Sequence, residues 1–558
     1  MTMTLYRNLL LVPLLAATAA CGGGSAGSMA SGAGTSGGAA TGGGVGGATG
    51  GGMGPVGNTD VLTYHGDAMR TGQNLTETVL MPANVSAMSF GLLRTLAADG
   101  HVDATPLVVS GLTIGGAAHN VVYVASEHDS VYAYDADSGD LLQQVSLLGG
   151  GETPSDTRGC GQVSPEIGIT STPVIDRGAG PHGTLYVVAM SKDGSGNYYQ
   201  RLHALDLETL ADRVPAQAIQ ARAPGNGPNS TNGTLTFDPG QYKERAALLL
   251  LGGEIYTTFG SHCDIQPYNG WIMAYDENSL AQTRVLQLTP NGTEGSIWDT
   301  GGMAADSAGA IYATVANGTF DTTLDSNGMP DAQDYGNAAL KIATGGTALA
   351  VTDYFTPSNT VTESADDIDF GSGSVLLLVD QTDGSGNAQH LLVAGGKDGN
   401  LYVLDRDNMG HFNAAANNVY ERVNVGGQLF SSPIYFNGSV YVADVGGTLK
   451  AYPLSQAQLA ATPGSQTAVT FAFPGTSPTV SAQGADNAIL WAIESNQGGP
   501  AVLHAYNPAN LGQEYYNSTQ ASGGRDAFGA GNKFITPVIA NGKVFVGTPS
   551  GVAVFGLF

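Results

Sequence analysis

Charged and aromatic side chains recur along this chain just ahead of short apolar runs. Asp103, Glu166, Trp298 with Asp299, Asp369 and Lys533 each precede such a run, and His262, Lys397 and the pair Arg525-Asp526 fall in loops between runs. Loops held by a rigid scaffold are where binding groups usually gather. Should these loops converge, Glu166, Asp369, Lys397 and Lys533 would hold a polar ligand or an ion. Arg525 would grip a carboxylate with two parallel hydrogen bonds, and Trp298 would stack on a ring. The competing reading is that these groups pair with one another and satisfy buried backbone.

A second oxygen-rich stretch runs from Asp321 to Asp334. Calcium needs several oxygen ligands, and Asp325, Asn327 and Asp331 flank a sharp Gly328 turn. Met329 stands where a third oxygen would be wanted, so the alternative is a solvated acidic hairpin. The run Asp366-Asp367-Ile368-Asp369 is expected to cap a loop. Of the 3 cysteines, Cys160 and Cys263 are compatible with one disulfide in an oxidising compartment. Histidines 65, 119, 128, 262 and 411 form no zinc spacing, and no Gly-x-Ser-x-Gly, phosphate loop or Cys-x-x-Cys-His occurs.

Composition narrows the partners. There are 47 acidic against 20 basic residues, a net charge of −27, which argues against nucleic acid and anionic membrane surfaces. The 82 glycines, with β-branched and aromatic residues throughout, point to short strands and tight turns.

Residues 1–20 read as a signal peptide: Arg7, an apolar run from Leu9 to Leu15, then small residues. Ala19-Ala20-Cys21 resembles a bacterial lipoprotein box, which implies lipidation of Cys21. Gly22 in the next place favours the outer membrane or cell surface over inner-membrane retention; the alternative is simple secretion after cleavage near Ala20, which would leave the chain periplasmic or secreted. Residues 21–58 are almost wholly Gly, Ser, Ala and Thr, and such a segment is predicted to be a disordered tether. As a flexible coil it would reach roughly 30–36 Å.

From residue 59 to 558 a unit repeats. Thr105-Pro106, Thr172-Pro173, Ser432-Pro433 and Thr536-Pro537 lead into apolar strands; a second strand follows, and a third ends in aspartate, as at Asp135, Asp206, Asp276 and Asp405. About eight such units, starting near residues 104, 170, 246, 300, 370, 430, 475 and 534, predict an all-β, eight-bladed β-propeller, with seven blades as the alternative. The last unit stops after its third strand, so residues 90–96 are expected to supply its outer strand and close the ring.

At Tyr134-Asp135-Ala136-Asp137-Ser138-Gly139 and from Lys397 to Asp405 the chain resembles the pyrroloquinoline-quinone (PQQ)-like, quinoprotein-type propeller repeats. The stretch from Tyr64 to Asn74 looks like the lead-in of secreted bacterial members without assigned activity. The family includes dehydrogenases and assembly lipoproteins, so the resemblance implies fold before chemistry. The enzymes carry docking tryptophans and an adjacent cysteine pair against the quinone. Here there are 3 tryptophans, and Cys160 and Cys263 are far apart. The expectation is a non-enzymatic envelope platform for a protein partner or small polar ligand. The rivals are a PQQ-dependent oxidoreductase with a diverged funnel and a calcium-assisted surface adhesin.

Overall fold

The computed structural model describes residues 59–495 and 499–558; the signal peptide, Cys21 and the tether of the sequence reading lie outside them. Blade 1 shows how the sequence makes the repeat. Pro106 needs no ladder partner for its missing N–H and so opens the innermost strand, Leu107–Ile114. Ala117–Ala125, Ser130–Asp135 and Leu141–Ser146 follow in order to the rim, each antiparallel to the last. The repeated aspartate closes the outer hairpin, because its carboxylate takes the turn's free amides. Asp135 Oδ1 accepts from Asp137 N at 2.8 Å and Ser138 N at 2.7 Å. Asp276 does the same for Asn278 and Ser279.

Sheets spanning 152–218, 242–287, 304–355, 373–424, 434–470 and 479–517 form blades 2 to 7. Blade 8 joins the two ends of the folded body. Its strands Val538–Ala540, Lys543–Thr548 and Gly551–Leu557 are completed by Phe90–Ala97, paired antiparallel from Phe90↔Leu557 to Ala97↔Gly551. The ring therefore has eight blades, and the last is closed by strands from the two ends of the folded body. Each inner strand starts within four residues of the expected unit start. The core lies between neighbouring blades: Val109 and Val121 of blade 1 pack with Ile175 and Val187 of blade 2, all buried. Each such side chain contributes roughly 1.5–3 kcal/mol.

The inner strands leave one row of backbone groups facing the channel, and buried amides must be paired. Residues 59–76 do this for every blade, as a hub. Val61 and Val108 exchange backbone bonds of 2.8 and 2.9 Å. Ile175, Ala305, Leu377, Tyr435 and Val480, one from each of five blades, donate their amides to the carbonyls of Leu62, Ala68, Met69, Thr71 and Gly72 at 2.8–3.0 Å. Arg70 Nη2 reaches Leu248 O beside blade 3 at 3.2 Å, and Asn74 Nδ2 reaches Ile539 O of blade 8 at 2.9 Å. Gly72 is required by this close approach: its φ is +70°, and a Cβ there would collide with Ile434.

Candidate functional site

The loops leading into the inner strands meet at one mouth of the channel, above the hub, and enclose two adjoining hollows. The larger, of about 370 Å³, is lined by Asp103, Thr170, Arg245, Thr300, Lys533 and Phe534 among others. The smaller, of about 170 Å³, is lined by Trp298, Asp369, Lys397, Phe430 and Phe473. Gln162, Arg245, Lys533 and Phe534 form a wall common to both. Tyr64 Oη of the hub lies 3.4 Å from Thr300 Oγ1, so the hub sits directly beneath the larger hollow.

The smaller hollow is aromatic. The Trp298 ring is 6.0 Å from Phe430 and 6.3 Å from Phe534, while Phe473 is 5.1 Å from Phe430. Arg245 lays its guanidinium 4.3 Å from the Phe534 ring centroid and 5.9 Å from that of Trp298. At the far wall Lys397 Nζ is held between Asp367 Oδ1 and Asp369 Oδ2, each at 2.7 Å. Burial pulls its pKa down, but the two carboxylates outweigh that and raise it. The remaining Asp369 oxygen accepts from Asn317 N at 2.8 Å.

The larger hollow is polar, and its charges stand apart. Among the described residues, no hydrogen bond or salt bridge engages Asp103, Arg245 or Lys533. Burial lowers the pKa of Arg245 and of Lys533; Asp103 draws both back up, and Arg245 repels Lys533. Behind them Glu127 Oε2 accepts from Gly168 N at 2.8 Å and Thr170 Oγ1 at 3.0 Å. Burial raises Glu127 and lowers Lys243, pushing each toward its neutral form. Beside the hub, Asp299 Oδ1 accepts from Gly302 N at 2.7 Å, and burial pushes this carboxyl up to about 6. His262 is buried near Lys243, which together press its imidazole down to about 3.

The structure thus brings Trp298, Asp369, Lys397 and Lys533 together, and leaves two of the expected funnel residues out. Glu166 stands off the hollows, with Oε1 paired to His128 Nδ1 at 2.9 Å. Arg525 is a correction. It lies beside the outer strand of blade 8, where it neutralises the buried carboxylate of its own neighbour, Asp526, through Nε and Nη2 at 2.7 Å. Asp526 in turn accepts from Leu92 N at 3.1 Å and Tyr516 Oη at 2.8 Å, and Arg525 Nη2 donates to Phe90 O. A buried acid on the closing strand needs a counter-ion, so Arg525 buckles the ring instead of gripping a ligand.

In the acidic loop, Asp325 Oδ1 accepts the amides of Asn327 at 2.7 Å and Met329 at 2.9 Å, while Asp331 N donates to Thr323 O. The loop's oxygens close a hairpin turn. Among the described residues no group of three or more His, Cys, Asp or Glu side chains is placed to hold a metal ion. Cys160 and Cys263 are bonded, with Cα atoms 5.7 Å apart. The bridge ties the loop of Gly161 and Gln162 to the wall of the smaller hollow, which Cys263 also lines.

Sequence reasoning missed Arg245, Lys243, Glu127 and the three phenylalanines. The signal for the first two was present: Lys243-Glu244-Arg245 stands just before the inner strand Leu249–Leu251, the same placement that singled out Asp103 and Lys533. The phenylalanines lie in loops whose convergence only the closed ring supplies.

No family model matches the chain, and no curated protein sequence does. Among solved structures, a quinohemoprotein alcohol dehydrogenase from Pseudomonas putida aligns over 89% of this chain and 80% of its own, at 15% identity and a TM-score of 0.57. The corresponding enzyme from Comamonas testosteroni gives the same coverage and identity with a TM-score of 0.56. The chain carries the quinoprotein-type propeller fold. BamB from Moraxella catarrhalis aligns over 84% of the chain at 13% identity with a TM-score of 0.45. At these identities the shared property is the fold alone.

Proposed function

We propose that this quinoprotein-type propeller is a binding platform of the bacterial cell envelope, exported by its signal peptide and tethered through a lipidated Cys21. The basin at the channel mouth is its binding site, and its ligand is an organic anion or an acidic group on a partner. One observation carries the reading: Arg245 and Lys533 project into a hollow of about 370 Å³ with no hydrogen-bonding or ionic partner among the described residues. Arg245 and Lys533 are half-buried, and two cations left without bonds in one cavity are suited to an anion that supplies them.

The dehydrogenase neighbours raise a quinone as the alternative, and the residues here do not fit a calcium-assisted quinone site. Asp369, the acid at the aromatic hollow, is already held by Lys397 and Asn317. Among the described residues no group of three or more His, Cys, Asp or Glu side chains, Asp103 included, is placed to hold a metal ion. Trp298 alone of the tryptophans lines a hollow, because Trp271 and Trp491 are fully buried within blades 3 and 7.

The test is calorimetric titration of the whole protein with PQQ, itself a planar polycarboxylate, and with 3-phenylpropanoate. Saturable binding of either anion, weakened at least tenfold in Arg245→Gln and Lys533→Gln, supports the platform. Reduction of a dye with alcohols after loading with PQQ and calcium would replace it with the oxidoreductase. Labelling with a fatty-acid analogue, abolished in Cys21→Ser, tests the anchor separately.

A further inference from the structure

The basin offers more than positive charge, and its three chemistries lie in a fixed order. Arg245 and Lys533 are on the wall shared by the two hollows, Asp103 is on the polar side, and the rings of Trp298, Phe430 and Phe473 are on the other. A simple anion would use only the cations and would face Asp103 with repulsion. A hydrocarbon would use only the rings and strand both cations. A ligand that satisfies all three needs a carboxylate, a hydrogen-bond donor close to it and an apolar or aromatic group on the same short frame. The α-carbon of an amino acid carries those three groups within a few bonds of one another.

The charge count then separates two forms of amino acid. Asp103, Arg245 and Lys533 sum to one net positive charge in the larger hollow. A free amino acid is zwitterionic and leaves that charge in place. An N-acylated amino acid has an amide N–H in place of the ammonium, keeps its carboxylate and cancels it. The smaller hollow, about 170 Å³ and walled by aromatic rings, has room for one large side chain.

The geometry points to an N-acylated α-amino acid as the occupant of the basin, with its carboxylate on Arg245 and Lys533, its amide N–H on Asp103 and an aromatic side chain among Trp298, Phe430 and Phe473. Two sources present this chemistry: a small N-acyl amino acid, and the C-terminal residue of a peptide or protein chain. This assignment rests on the basin being an anion site, and deepens it by naming the ligand's three points of contact.

The experiment titrates the whole protein with N-acetylphenylalanine, its carboxamide, 3-phenylpropanoate and a short peptide ending in phenylalanine. The expected result is that N-acetylphenylalanine binds about tenfold or more tightly than its carboxamide and than 3-phenylpropanoate. Asp103→Asn should erase the advantage over 3-phenylpropanoate while leaving binding of 3-phenylpropanoate in place. Lys533→Gln should weaken every carboxylate and leave the carboxamide unchanged. Unfolding curves that match the parent protein establish that both variants fold. A peptide that binds as well as N-acetylphenylalanine assigns the chain terminus, and a peptide that fails while the small compound binds assigns the free acyl amino acid. The inference is overturned if the carboxamide binds as tightly as the acid, or if Asp103→Asn weakens both acids alike. Binding of PQQ or 3-phenylpropanoate without N-acetylphenylalanine would overturn this assignment and leave the platform standing. Binding of none of these anions would remove both.

Discussion

The channel has two regions built by opposite rules. At the hub, Arg70 is engaged throughout: fully buried, it gives Nε to Met303 O, Nη1 to Thr63 Oγ1 and Tyr64 O, and Nη2 to Leu248 O, at 2.7–3.2 Å. At the basin, Arg245 and Lys533 are left without such partners. The same residue type thus serves as a keystone at one level and as an open hand at the other. What separates them is the supply of acceptors. Arg70 finds Met303 O and Leu248 O just ahead of two inner strands and Tyr64 O within the hub itself, whereas no such acceptor is within reach of Arg245 or Lys533 among the described residues. Stability should therefore be concentrated in the hub and ligand affinity in the basin.

The most severe test of that division is Arg70→Met, which keeps the length and apolar stem but deletes every donor. The carbonyls of Met303, Tyr64 and Leu248 would be left buried and unpaired, and the cost expected is about 4 kcal/mol or more. Denaturant titration of the variant should show a lower midpoint with the slope unchanged. A loss below about 1 kcal/mol would mean the hub is an ornament on an already closed ring, and the contrast between the two regions would fail.

A second test uses pH, because Asp299 lies where hub and basin meet. Its folded-state carboxyl is pushed up to about 6 by burial, above the ordinary value near 3.8. Between those values the native state binds more protons than the unfolded chain, so stability must fall as pH rises from about 4 to 6 and then level off. The shift corresponds to about 3 kcal/mol. Asp299→Asn should flatten this limb of the stability–pH curve, measured by denaturant unfolding at each pH. A variant that keeps the full slope would place the titrating group elsewhere. A parent protein more stable at pH 6 than at pH 4 shows other groups dominating, and the comparison of parent with variant then isolates this one.

The two regions also differ in how far they can be read from sequence. Blades follow from local rules: a proline that opens an inner strand, an aspartate that closes a hairpin, and alternation in between. Eight units could therefore be counted and their starts placed closely. Half of the basin followed from one further rule, that charged residues before an inner strand face the channel, which finds Asp103, Trp298, Asp369 and Lys533. The rule misplaces Glu166, which pairs with His128 off the hollows, and the reading of loops between runs misplaces Arg525, whose neighbour Asp526 is buried against a strand 434 residues away at Leu92. It is equally blind to the hub, since Tyr64–Asn74 has no periodicity and its bonds run to six blades spread over the chain. Contacts of that range depend on ring closure, which no local pattern encodes.

The smallest effect expected is also the most discriminating. Lys533→Met removes a partly desolvated cation that makes no salt bridge, is repelled by Arg245 and only in part offset by Asp103, and replaces it with a stem of similar length. A side chain that stabilised the fold would be missed. One kept for a ligand should be neutral or slightly unfavourable to the free protein. The variant is therefore expected to unfold within about 0.5 kcal/mol of the parent, or up to about 1 kcal/mol higher, while losing anion binding. Were Lys533→Met to cost as much as Arg70→Met, the lysine would belong to the scaffold and the two regions would obey one rule. A neutral result would set the lower end of a scale whose upper end is Arg70, with Asp299 between them at the boundary of hub and basin.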